Sequence, residues 1–156
     1  MTYRNVILLN GDAREVPAIA DVQLIPGMLV EWDTAEPGQV KLHATDGGNV
    51  IPVMFVRENR ENNGKGISDA IVINDSCTVI YPQQGAVVNA ITEDTITVRG
   101  TPLASSGNGV LRIADLEAGD VPIGISDGPS VAEGTRLRVP VLIGAAANIV
   151  GGGYSL

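Results

Sequence analysis

Apolar residues along the chain fall into short runs of four to eight, separated by clusters of turn-forming residues. Residues 6–9, 28–32, 40–43, 50–56, 77–81, 86–91, 95–98, 110–113, 121–125 and 136–143 are read as strands. In Thr95-Ile96-Thr97-Val98 the apolar positions share one face, as in a half-buried strand. Arg136-Leu137-Arg138-Val139 alternates likewise, with its charges expected to point outward. Pro26-Gly27, Pro37-Gly38, Asp46-Gly47-Gly48, Asn63-Gly64, Gly107-Asn108-Gly109 and Asp127-Gly128-Pro129 punctuate the runs as turns. Ten short strands at this spacing predict an all-β fold, a small barrel or sandwich of antiparallel strands with extended terminal arms. Helical signal is confined to single turns at 68–73 and 114–119, the second closed by Gly119.

Three segments follow from the same pattern. Residues 1–24 are expected to form an N-terminal arm and first strand, 25–143 a β core, and 144–156 a Gly-rich tail. Gly151-Gly152-Gly153 near the end carries little structure of its own. A flexible tail is the ordinary reading of such an end; the alternative is an apolar segment that orders against a partner, and on that reading Val6, Ile7, Leu8, Leu9, Ile149, Val150 and Tyr154 are the candidate contact residues.

Composition narrows the core and the partners. The chain is 44% apolar but has only five aromatic side chains, Tyr3, Trp32, Phe55, Tyr81 and Tyr154. Valine, isoleucine, leucine and alanine must therefore fill the interior, which suits strands. Eighteen acidic against ten basic residues give a net charge of −8. Nucleic acid and anionic membranes both require basic surface, so neither is an expected partner. No apolar run reaches the ~7–15 residues of a signal core or the ~18 of a membrane helix. Synthesis in the cytoplasm is expected.

Candidate chemistry is sparse. His43 is the sole histidine, which excludes a His₂ or His₃ metal site within one chain. It also has no Gly-x-Ser-x-Gly elbow to serve, and is read as a strand-end residue in a hydrogen bond. Cys77 is the sole cysteine, so no disulfide forms within the chain, and it is read as a buried small hydrophobe. Glu31 and Asp33 flank Trp32 and project opposite it if the run is a strand. Paired carboxylates hydrolyse glycosides, but two acids on an outward strand face are far commoner. Neither an EF-hand spacing nor a phosphate-binding Gly-rich loop occurs. The expectation is no catalytic residue, no cofactor and no metal.

Trimeric all-β dUTP nucleotidohydrolases have about this length, but their uracil-binding hairpin and Gly-rich closing arm have no counterpart. Gly151-Gly152-Gly153 lacks the arginine and aromatic residues that such an arm carries.

Another family is approached more closely. Ile25-Pro26-Gly27-Met28-Leu29-Val30-Glu31 and Gly38-Gln39-Val40-Lys41-Leu42-His43-Ala44-Thr45 resemble the opening of capsid decoration (cement) proteins of tailed bacteriophages. The resemblance continues through Phe55-Val56-Arg57-Glu58-Asn59, Gly64-Lys65-Gly66-Ile67-Ser68-Asp69-Ala70 and Gln84-Gly85-Ala86-Val87-Val88-Asn89-Ala90. Farther on it takes in residues 100–111, Ile123-Gly124-Ile125 and 136–139, so that it covers roughly residues 25–143 in order. It implies a homotrimeric virion protein seated on the outer surface of the mature head, binding the major capsid protein and stabilising its contacts. A head- or tail-attached module recognising a cell-surface glycan is the alternative. Residues 1–24 and 144–156 lie outside the resemblance.

Overall fold

The computed structural model describes residues 6–58 and 66–144, and all of the elements assigned there are β. Twelve strands follow one another: β1 (Leu8–Asn10), β2 (Ala13–Ala20), β3 (Val30–Trp32), β4 (Gln39–Leu42), β5 (Phe55–Val56), β6 (Ser76–Pro82), β7 (Val87–Thr92), β8 (Pro102–Ser105), β9 (Leu111–Ile113), β10 (Gly124–Ser126), β11 (Val131–Glu133) and β12 (Arg136–Ile143). The all-β expectation holds, and the barrel is the form it takes.

The first sheet runs β1-β7-β9-β8-β10-β12-β11, and β7 also pairs with β12. That extra pairing closes β7-β9-β8-β10-β12 into a five-stranded ring. Its seam is long: Leu137 through Leu142 stand opposite Thr92 through Val87, antiparallel. Every residue of β7 is buried, as expected of a strand covered on both sides. Val88, Ala90, Leu103, Leu111, Val139, Val141 and Ile143 fill the interior.

The second sheet has the order β3-β4-β2-β6-β5. Strand alternation divides it sharply. On β5, Phe55 joins the barrel's core while Val56 joins a second cluster with Ala18, Ala20, Val30, Val40, Cys77 and Val79. Its two edges meet. The Val30 amide donates to the Met54 carbonyl at 3.0 Å and the Val56 amide to the Met28 carbonyl at 3.0 Å, around a Leu29–Phe55 bridge. Joining edge strands in this way leaves fewer unpaired backbone groups for foreign strands. Leu24, Met54 and Ile71 cover the enclosed space from loops.

Strand β2 is held unevenly. It pairs with β6 from Ala13 to Ile19, but with β4 only at Ile19 and Ala20. Along its remaining edge Arg14, Glu15 and Pro17 are exposed.

Several expectations are corrected. Residues 95–98 form no strand: only Ile96 is buried, and its N–H and C=O go to Ser130. The segments 68–73 and 114–119 are turns and bridges, not helical turns. Strands β2, β8 and β11 were not foreseen. Arg138 does not point outward; its face of β12 is covered by the Pro26 and Ile67 segments, and the residue is 2% exposed.

Candidate functional site

The expected N-terminal contact residues take part in the fold. Ile7 is fully buried in the barrel core, and Leu8 packs against that core while pairing with Val88. The Ile7 amide donates to Glu58 Oε2 at 2.6 Å, and the Val6 carbonyl accepts from Asn89 Nδ2 at 3.2 Å. Ile7 thus belongs to the core of this fold, turned inward just before β1 pairs with β7. Val6 and Leu9 are half-buried. Ile149, Val150 and Tyr154 lie outside the described residues.

The two acids flanking Trp32 serve different backbones. Glu31 Oε1 accepts from the Ala44 amide at 3.0 Å, and Asp33 Oδ1 from the Ala35 amide at 2.9 Å. Trp32 faces the second cluster, where its indole N–H donates to the Tyr81 hydroxyl at 2.8 Å. Asp33 instead stands beside Asp21. A shared hydrogen bond with Asp33 raises the Asp21 pKa, and the charges of Asp33 and Glu36 add to the rise. The Asp33 pKa is lowered, chiefly by the Ala35 amide and then by Asp21.

His43 sits at the end of β4, buried, with Nδ1 2.7 Å from Ser105 Oγ and Nε2 3.4 Å from the Asn49 carbonyl oxygen. The Gly107 amide donates to the same Ser105 oxygen at 3.2 Å. This histidine–serine pair links the second sheet to β8 of the barrel from within the protein. Cys77 lies inside the second sheet, where burial pushes its thiol up to about 11.

Two arginines organise the remaining charge. Arg138 donates to Glu133 Oε1 at 2.8 Å, the Pro26 carbonyl at 2.9 Å and the Ile67 carbonyl at 2.9 Å. It pins two long loops to β12. Gly27 makes room for it: φ there is +93°, and a Cβ would stand 2.5 Å from an Arg138 nitrogen. Arg112, nearer the surface, bonds Asp46 Oδ1 at 2.8 Å and Asp120 Oδ1 at 3.0 Å. Arg112 and the Asp115 amide hold the Asp120 carboxyl below the usual range.

The described residues contain no group of three or more His, Cys, Asp or Glu placed to hold a metal ion. No helix among them is long and apolar enough to cross a membrane.

What the sequence reading missed is an exposed apolar group at one end of the second sheet. Val72 is 56% exposed, Ile73 52% and Ile19 41%. Ile73 sits in a turn closed by the Asp75 amide on the Val72 carbonyl at 3.0 Å, with Asn74 at φ 71°. The available signal was an Ile-Val-Ile run placed directly before Asn74-Asp75.

No protein-family model and no curated protein sequence matches the chain. Among solved structures, the N base of head fiber gp8.5 in bacteriophage phi29 superposes with a TM-score of 0.54 at 12% identity. The alignment covers 83% of this chain and 94% of that one. The likeness is one of fold. It spans nearly the whole of the phage domain, so both barrel and second sheet share in it.

Proposed function

We propose that the chain is a structural protein of a phage head: a trimeric decoration protein on the outer surface of the mature capsid, where it strengthens contacts between coat subunits. The observation that carries this reading is the fold shared with a head-fiber base over 94% of that domain. Two further features support it. The family resemblance of residues 25–143 points to the same place in a virion, and the chain's acidity suits a protein partner better than nucleic acid.

The mechanism is one of mass action. A protein that binds only the assembled, expanded lattice stabilises that lattice by the free energy of its own binding. A closed three-fold ring presents three equal contacts to a three-fold site. Weak single contacts then multiply through effective concentration. Resisting outward pressure from packaged DNA needs area and rigidity, and in this reading no bond is made or broken.

The test mixes the purified chain with expanded, DNA-emptied phage heads and with immature ones. A trimer by native mass spectrometry that sediments with expanded heads alone is expected. A monomer that sediments with neither would overturn the proposal.

A further inference from the structure

Exposed apolar residues scattered singly are ordinary, but Val72 and Ile73 follow one another on a braced turn that is bonded to the strand end carrying Ile19. Turn positions favour Gly, Pro, Asn, Asp and Ser, yet Ile73 occupies one here, with Val72 before it. The turn is fixed on both sides. Ile71, buried, exchanges backbone bonds with Leu24 at 2.7 and 3.0 Å. The Asn74 amide donates to the Ala20 carbonyl at 2.8 Å, and the Ala20 amide to the Asp75 carbonyl at 2.9 Å. Those two bonds put Ile19, next to Ala20, beside the turn.

Acids lie on the elements that carry this apolar knob. Asp75 belongs to the turn itself, Asp21 follows Ala20, and Asp33 and Glu36 stand close enough to Asp21 to perturb its titration. The Ile19 amide donates to the Gly38 carbonyl at 3.0 Å, which brings the 33–39 loop to the same end. Lys41 is the counter-charge there. Crowding like charges at an exposed site is unfavourable in the free protein and is relieved by a cationic partner.

We infer that this knob, Val72 and Ile73 with Ile19 inside a rim of Asp21, Asp33, Glu36 and Asp75, is a docking surface for a protein face with an apolar socket framed by lysine or arginine. A second copy of the chain is a poor occupant. The net charge is −8, and of the described arginines Arg57, Arg112, Arg136 and Arg138 are paired with acids, which leaves Arg14 and Arg99 as the exposed ones against eighteen acids in the chain. The inference rests on the proposed head-bound role, and the socket then belongs to the coat lattice. Because three small side chains make a small contact, the three-fold ring of that reading supplies the necessary multiplicity.

The test is co-sedimentation of the full chain with expanded, DNA-emptied heads at about 0.05 and 0.5 M salt. Val72→Ser with Ile73→Ser should weaken binding about ten-fold or more while leaving thermal melting and native mass unchanged. Glu36→Gln with Asp75→Asn should weaken it about three-fold at low salt and flatten the salt dependence. If the unaltered chain binds heads and both double variants bind equally well, the docking surface is wrong and the head-bound role stands. If the unaltered chain does not bind heads at all, both fall together.

Discussion

The barrel and the second sheet enclose cores of similar chemistry but are closed by different means. The barrel's seam between β7 and β12 is a continuous ladder from Leu137 to Leu142. The second sheet is joined between β2 and β4 by two residues, and between its edges by a single bridge. The barrel also has a narrow join, β7 to β9 at Thr92 and Leu111, but its long β7–β12 ladder spans the core, whereas the second sheet depends on what fills it from loops and on the side chains that tie it to the barrel. Long backbone pairing thus marks the barrel's seam, and side chains make the attachment between the two units.

Breaking the attachment should have the largest effect. Arg138→Met removes the buried ion pair with Glu133 and the bonds to the Pro26 and Ile67 carbonyls, for an expected loss of about 3–5 kcal/mol in urea unfolding. Emptying the second sheet comes next. Leu24→Ala should cost about 3 kcal/mol, and it should speed Cys77 labelling by a thiol reagent more than it speeds amide exchange in β7. Equal acceleration at both places would show that the two sheets open as one. Ser105→Ala removes the partner of His43 Nδ1 and should cost about 1–2 kcal/mol, again in urea.

The smallest effect concerns Asp120 and is best read through pH. Its folded pKa is depressed, so its contribution is present above the unfolded value near ~3.9 and lost as pH falls through the folded one. Asp120→Asn should therefore lower the urea midpoint slightly at pH 7, and the gap to the unaltered chain should close on acidification. A gap that widens in acid would contradict the pairing with Arg112.

The parts of the fold legible in the sequence were those where pattern and burial coincide. The run at 86–91 and the run at 136–143 mark the barrel's seam, and the glycine turns at Gly27 and Gly38 are real, with φ of 93° and 80°. Strand β2 was illegible because its inward positions, Val16, Ala18 and Ala20, are small and are interleaved with Glu15 and Pro17, and its partners lie as far away as Cys77 and Val79. Residues 95–98 misled in the opposite direction, since alternation there reflects one buried side chain, Ile96, in an otherwise exposed segment. Arg138 was read as surface because a charge on an alternating strand usually is. Only the long-range cover from Pro26 and Ile67 reverses that.

The candidate surface was hidden for a related reason. Val6 through Leu9 and Val72 with Ile73 are both short apolar runs beside turns, and composition does not distinguish them. Ile7 is enclosed because β7 lies alongside, while Ile73 is exposed because Leu24 and Ala20 hold its turn outward.

Pro17 has a consequence for life in a crowd. In β2 the Ile19 and Asp21 amides turn toward β4, so the odd-numbered positions address that side, and proline there has no amide to offer. A stray strand approaching the open stretch of β2 would find its ladder interrupted and would meet Arg14 and Glu15 beside it. Pro17 thus keeps the open stretch of β2 from serving as a template for a second chain.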